Sequence, residues 1–280
     1  VHPIKKFLKS LSVWLPARRC ELLLYEILAA LERNAVRTNQ ILLSQSAPDF
    51  VFELTSAPKM TNGKPAKIYA PDAGEDYIQT IIATRHHFFS NEALERTRKW
   101  VNPGEHILDI GGNIGNHSIF WAGVIGAARI YNFEPVASTF AIQARNITIN
   151  ELGDVVKAHP LALGEKPGRG RISIPDGQNM GSVRILEDMH GECEMASLDS
   201  LMEAGVFQES PRISFVKIDV EGFESAVLRG GKKFFACYKP VVLIEVFDRK
   251  KDEVFSILAA FGYRLIERIE DHDYIFAQSQ

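Results

Sequence analysis

The chain has little cysteine, no long apolar run and no dominant charge. Its three cysteines, Cys20, Cys193 and Cys237, are odd in number and far apart. That pattern argues against a disulfide framework and against a thiolate zinc site, and a reducing compartment fits best. No apolar run reaches membrane-spanning length. The most apolar stretch, Leu22 to Leu31, is interrupted by Glu26 and closed by Glu32 and Arg33. No secretory signal is read in the chain as it stands, and a cytoplasmic location is expected. A net charge of −3 over 280 residues gives no sign of a nucleic-acid partner. No histidine pair has ligand spacing, and no resident metal is expected. There is no internal repeat or low-complexity tract.

The composition, 46% hydrophobic and 24% charged, is that of an ordinary soluble globule. It suits one large α/β domain with an added segment, or two small domains. The segment is expected over residues 1–60 as a helical extension or lid, and the main domain over residues 61–280. Residues 1–45 are basic, with Leu24, Ile27, Leu28 and Leu31 at helical spacing and Pro16 between two helices. Their apolar stripe would pack on the main domain or on a second copy of the chain, so a homo-oligomer through these helices is the partner expectation; a peripheral membrane contact is the sharper alternative. Phe50–Leu54 and Lys67–Ala70 read as short strands. Asp76 to Trp100 has a helical pattern, stopped by Asn102-Pro-Gly104.

The chain turns on the run His106-Ile-Leu-Asp-Ile-Gly-Gly-Asn-Ile-Gly-Asn-His-Ser118. An apolar strand meets an acid, then glycines, then the start of a helix. Glycines let a ligand approach the backbone, and a helix start offers unpaired N–H groups. Asp109 stands two residues before Gly111, giving Asp109-x-Gly111-x-Asn113-x-Gly115. A carboxylate there would oppose the pyrophosphate of a dinucleotide. It would suit a cation, and S-adenosylmethionine carries an ammonium and a sulfonium but no phosphate.

Strands and helices then alternate. Strands are expected at Ala128–Phe133, Val155–His159, Ile213–Val220 and Val241–Val246, with an irregular insertion from Gly164 to Ile174 that contains a strand at Gly170–Ile174. Tyr263–Glu267 and Tyr274–Ala277 are joined too closely for a crossover and make an antiparallel hairpin. The fold class is therefore α/β: a mostly parallel, Rossmann-like sheet with helices on both faces and a C-terminal antiparallel hairpin. That ending fits a class I methyltransferase, with its seven-stranded sheet, better than a dehydrogenase.

Ligands of open parallel sheets sit beyond the carboxyl ends of the strands. The acids Asp109, Glu134, Asp219, Glu221 and Glu245 fall there, where buried strands otherwise exclude charge. Glu134 follows the glycine turn at the distance from which an acid grips a ribose diol, a feature NAD would share. Lys217, Asp219 and Glu221 alternate onto one face if the strand continues, where catalysis and a structural ion-pair network both fit. Among the histidines, His86 and His87 precede the turn, while His117 and His159 read as satisfied structural residues.

These motifs resemble the FkbM family of S-adenosylmethionine-dependent methyltransferases, from about Asp76 to the C-terminus. The carrying segments are Asn102 to Gly115, Tyr131-Asn-Phe-Glu-Pro135, Leu161-Ala-Leu-Gly164, Phe215 to Glu224 and Val241 to Val246. The resemblance implies O-methylation of a hydroxyl on a small molecule, such as a sugar, glycoconjugate or polyketide-like acceptor. It points Asp109, Gly111, Gly112, Asn113, Gly115, Asn116, Glu134, Pro135, Leu161, Ala162 and Asp219 toward the cofactor. It leaves Asp219, Glu221 and Lys217 as catalytic candidates. The alternatives are an NAD-dependent oxidoreductase and a methyltransferase-like binding module without turnover.

Overall fold

A computed structural model describes residues 49–173, 183–210, 212–269 and 272–278. Most of the expected N-terminal extension, and the oligomer contact expected through it, fall on residues 1–48, outside the described residues. β1 (Val51–Glu53) pairs antiparallel with β2 (Lys67–Tyr69). The expected boundary at residue 60 thus cuts through a paired ribbon.

α1 (Tyr77–Arg85) starts at Asp76, whose side chain accepts from the Gln79 N–H, a standard N-cap. The helical pattern expected as far as Trp100 is broken. His86 and Ser90 take left-handed backbone, and α2 (Asn91–Thr97) follows. The break has a tertiary cause. Phe88 is buried edge-on against Phe120, and the Asn116 side chain holds both the N–H and the carbonyl of Phe89.

β3 (His106–Ile110) is the centre of the large sheet. Ile107, Leu108 and Ile110 are fully buried, as in a strand covered on both faces. The glycine turn leads into α3 (Asn116–Ile119), which continues as a π-helical turn over Phe120–Ile125. β4 (Arg129–Phe133), α4 (Ala137–Ile149) and β5 (Val156–His159) follow. Next come β6 (Ala162–Leu163), β7 (Gly168–Ser173), β8 (Arg184–Glu187) and β9 (Cys193–Ala196). These form a separate four-stranded sheet of order β6-β9-β7-β8, where an irregular insertion with one strand is expected. The strands are short, and glycine is required where they cross: a Cβ on Gly191 would run into the Gly170 backbone.

α5 (Leu198–Glu203) opens with a Ser197–Ser200 capping box. Then come β10 (Ile213–Ile218), α6 (Glu224–Arg229), α7 (Lys232–Tyr238), β11 (Val241–Glu245), α8 (Lys251–Ala260), β12 (Tyr263–Arg268) and β13 (Asp273–Gln278). The large sheet has seven strands in the order β12-β13-β11-β10-β3-β4-β5. β13 runs antiparallel to both β11 and β12, as the expected hairpin requires. β3 pairs parallel with β4 on one side and β10 on the other. Chain order reverses at that point, so the crevice of the sheet opens above β3. Leu108, Ile110, Val216, Ile218, Val242 and Ile244 tie these strands into one buried cluster. Among the described residues no helix is long and apolar enough to cross a membrane.

Candidate functional site

A cavity of about 250 Å³ opens at the carboxyl ends of these strands. Its floor is the glycine turn. Gly111, Asn113 and Gly115 all have positive φ. The Gly111 and Gly112 N–H groups both donate to the Phe133 carbonyl at 3.0 Å, drawing the turn against β4. On the other side the backbone of β10 comes so close that a Cβ on Gly111 would strike the Asp219 carbonyl. Gly111→Ala therefore combines a positive φ with a backbone collision. It should destabilise the fold by at least about 1–3 kcal/mol, as a lower thermal midpoint would report.

Glu134 stands just past β4. It accepts from the Asn113 N–H and the Val136 N–H, both at 2.9 Å. Burial pushes its carboxyl up to about 7 against those two hydrogen bonds. Pro135, Leu161 and Ala162 line the cavity beside it.

At the other side of the turn, Lys217 is buried and donates to the Gly111 carbonyl at 2.9 Å. Its Nζ lies 3.1 Å from Asp219 and 3.6 Å from Asp109. Burial alone would lower the Lys217 ammonium, but the two carboxylates outweigh it and hold it above its usual range. Burial would raise Asp219, yet Lys217 keeps it below the usual carboxylate range. Glu245, the last residue of β11, is pushed up to about 10 by burial and then by Asp219, with which it hydrogen-bonds. At neutral pH it carries a proton that Asp219 accepts.

Glu221 reaches the cavity differently. β10 ends at Ile218, and Glu221 sits at φ 55° instead of continuing the strand's alternation. Such left-handed backbone on a side-chain-bearing residue is a strained feature that aims a side chain. Burial, then the charges of Asp219 and Glu224, push Glu221 up to about 7. Oxygens of Asp219, Glu221 and Glu245 lie within 4.8 Å of one another, a grouping able to hold a cation if Glu245 gave up its proton.

The cavity thus gathers Lys217, Asp219, Glu221, Gly111, Gly112, Asn113, Asn116, Glu134, Pro135, Leu161 and Ala162. Gly115 and Asp109 do not line it. Asp109, expected to face a cofactor cation, is instead fully buried below the turn. Its Oδ2 accepts from Ser118 at 2.7 Å and Asn132 at 3.1 Å, and its charge meets Lys217. The partners come from α3, β4 and β10, so packing closes over the acid. Glu245, expected as a strand-end acid without an assigned role, and His117, read as structural, also line the cavity. Glu245 shows the same strand-end acid signal as Glu134; nothing in sequence separates His117 from an ordinary helix residue. Apolar walls come from Tyr77 and Phe89 on one side and from Ile185 and Phe223 on another.

The family model described as the methyltransferase FkbM domain matches residues 109–274. The chain belongs to the FkbM methyltransferase family. Among curated relatives, Methyltransferase 1 of Beauveria bassiana is 26% identical over 167 residues, 52% of this chain and 66% of that protein. Hexuronic acid methyltransferase AglP of Haloferax volcanii is 33% identical over 127 residues, 44% of this chain and 48% of that protein. The alignments therefore leave part of each relative's length unmatched. The crystal structure of a methyltransferase FkbM from Methylobacillus flagellatus aligns with a TM-score of 0.44 and 16% identity, over 73% of this chain and 56% of that one. The FkbM match runs from the strand-end acid Asp109 to Tyr274 in β13, taking in β4, β5, β10, β11 and β12 whole and reaching into β3 and β13.

Proposed function

We propose that this FkbM-family chain is an S-adenosylmethionine-dependent O-methyltransferase acting on a hydroxyl of a small molecule, with a sugar or glycoconjugate favoured. The observation that carries it is the rim of the cavity. Asp219, which stays ionised, and Glu134 and Glu221, which ionise near pH 7, surround a glycine floor beside the protonated Glu245, and the lone lysine among the lining residues is already committed to two carboxylates and a carbonyl. Such a rim suits a cofactor bearing cations and repels a pyrophosphate, which weighs against NAD. The cation argument rests on these acids, since Asp109 is spent on Lys217. The sugar preference is supported by the name of the AglP relative.

The residues present fit the group. Glu134, held by two backbone donors, keeps lone pairs for a ribose diol. Pro135 and Leu161 offer apolar surface for the base. When bound, the cofactor supplies an electrophilic methyl on a sulfonium. The protein's share is to align the acceptor oxygen and to receive its proton. Alignment contributes about 7–11 kcal/mol in favourable cases. Glu221 is the group poised to take the proton, since it lies in the cavity and titrates near 7. Asp219 is clamped by Lys217 and orients the floor.

Titration calorimetry with S-adenosylhomocysteine and with NADH tests the reading; binding of NADH alone would overturn it. Glu134→Ala should weaken S-adenosylhomocysteine about tenfold to a hundredfold, by loss of charge-assisted hydrogen bonds. In the unsubstituted protein, affinity should rise as pH passes upward through about 7, where Glu134 ionises and becomes the stronger acceptor. Mass spectrometry of products formed from labelled cofactor and cell extract would identify the acceptor.

A further inference from the structure

An S-adenosyl cofactor carries a carboxylate on its amino-acid tail as well as an ammonium. In a cavity rimmed by acids the ammonium has many partners and the carboxylate has few. Were Glu134 to hold the ribose, a tail crossing the glycine turn would reach the side of the cavity at the end of β10. The two strands lie two spacings apart, about 10 Å. At that side Lys217 is committed to Gly111, Asp219 and Asp109. The Asn116 amide is occupied on both sides by the Phe89 backbone. Asn113 lies at the ribose end, where its N–H meets Glu134. Tyr77 stands 60% exposed at the wall.

His117 is left. It lines the cavity, and it lies close enough to Lys217 and Asp219 to feel both charges. Its ring packs against Trp121 with centroids 5.4 Å apart. Among the described residues its ring nitrogens make no hydrogen bond. We propose that His117 donates an imidazole N–H to the carboxylate of the cofactor's amino-acid tail and so sets the tail's orientation above Asp219. Burial, then the Lys217 charge, pushes His117 down to about 3 against the pull of Asp219. A neutral imidazole has one N–H to give and adds no second cation beside Lys217. The assignment rests on the cofactor reading above.

The test is calorimetry on the full chain with two ligands: S-adenosylhomocysteine, and S-adenosyl-3-thiopropylamine, which lacks the carboxylate and nothing else. His117→Ala should weaken the first about tenfold to a hundredfold and leave the second within about twofold. His117→Gln, which keeps an N–H donor, should recover most of the loss. Should the alanine variant not fold, His117→Phe keeps a ring on Trp121, removes the donor and carries the same comparison. Equal losses for the two ligands, or no loss for either, would overturn the assignment. Absence of S-adenosylhomocysteine binding by the unsubstituted chain would overturn the cofactor reading and the assignment with it.

Discussion

Replacing Lys217 with methionine is expected to lower the unfolding free energy by about 3–5 kcal/mol, the usual cost of breaking a buried charge pair from one side. Methionine fills much of the lysine's volume, so the loss reports charge more than a cavity. Asp109 has no solvent access and would keep its hydrogen bonds from Ser118 and Asn132, but no cation. Asp219 would lose its partner at 3.1 Å, and the Gly111 carbonyl its donor. The deficit should depend on pH. Burial already raises Asp109, with the Lys217 charge opposing. Without Lys217 its folded pKa climbs further above its unfolded value. The folded state then binds a proton that the unfolded state releases, so the variant loses stability as pH rises through that interval. Urea unfolding at several pH values checks this. Adding Asp109→Asn should return part of the loss at neutral pH, because the stranded charge is gone. A variant as stable as the parent at neutral pH would mean that the ion pair does not hold the turn.

Much of this arrangement is legible in the chain. Glu134, Asp219 and Glu245 can be picked out because each acid ends a run of buried strand residues, and charge at such a place needs a reason. The glycine turn is legible because Gly111 must admit the backbone of β10. Asp109 misleads for a physical reason. An acid at the end of a central strand looks the same whether it faces a ligand or a lysine from the next strand, and the partner, Lys217, lies far along the chain. The break between α1 and α2 is likewise tertiary, set by Phe88 packing on Phe120 and by the Asn116 clasp. The four-stranded sheet escapes a periodicity reading because Gly168 and Gly170 leave gaps in the alternating side chains such a reading needs. Glu221 is legible as an acid, but its aim depends on a left-handed backbone turn that no alternation predicts.

That turn sets the second large expectation. Glu221→Gln should lower kcat/KM for methyl transfer by about 10²–10⁴-fold, the usual contribution of a positioned general base. Glutamine preserves the shape and some hydrogen bonding, and on the proposed reading the base meets the acceptor alone, so S-adenosylhomocysteine affinity should change little. The parent's kcat/KM should rise with pH and level off above about 7, since Glu221 takes a proton only when ionised and titrates there. The variant should lose that rise. Glu134 titrates in the same region, and the two are separable. On the proposed reading Glu134 acts through cofactor affinity, so saturating cofactor should remove its share of the pH dependence and leave that of Glu221. Glu245 and Asp219 place a check on the interpretation. Their shared proton keeps one negative charge beside Glu221, which holds its pKa up; Asp219→Asn should let the Glu221 inflection fall below about 7. An inflection unmoved by Asp219→Asn and still present in Glu221→Gln would transfer the base role to another group in the cavity.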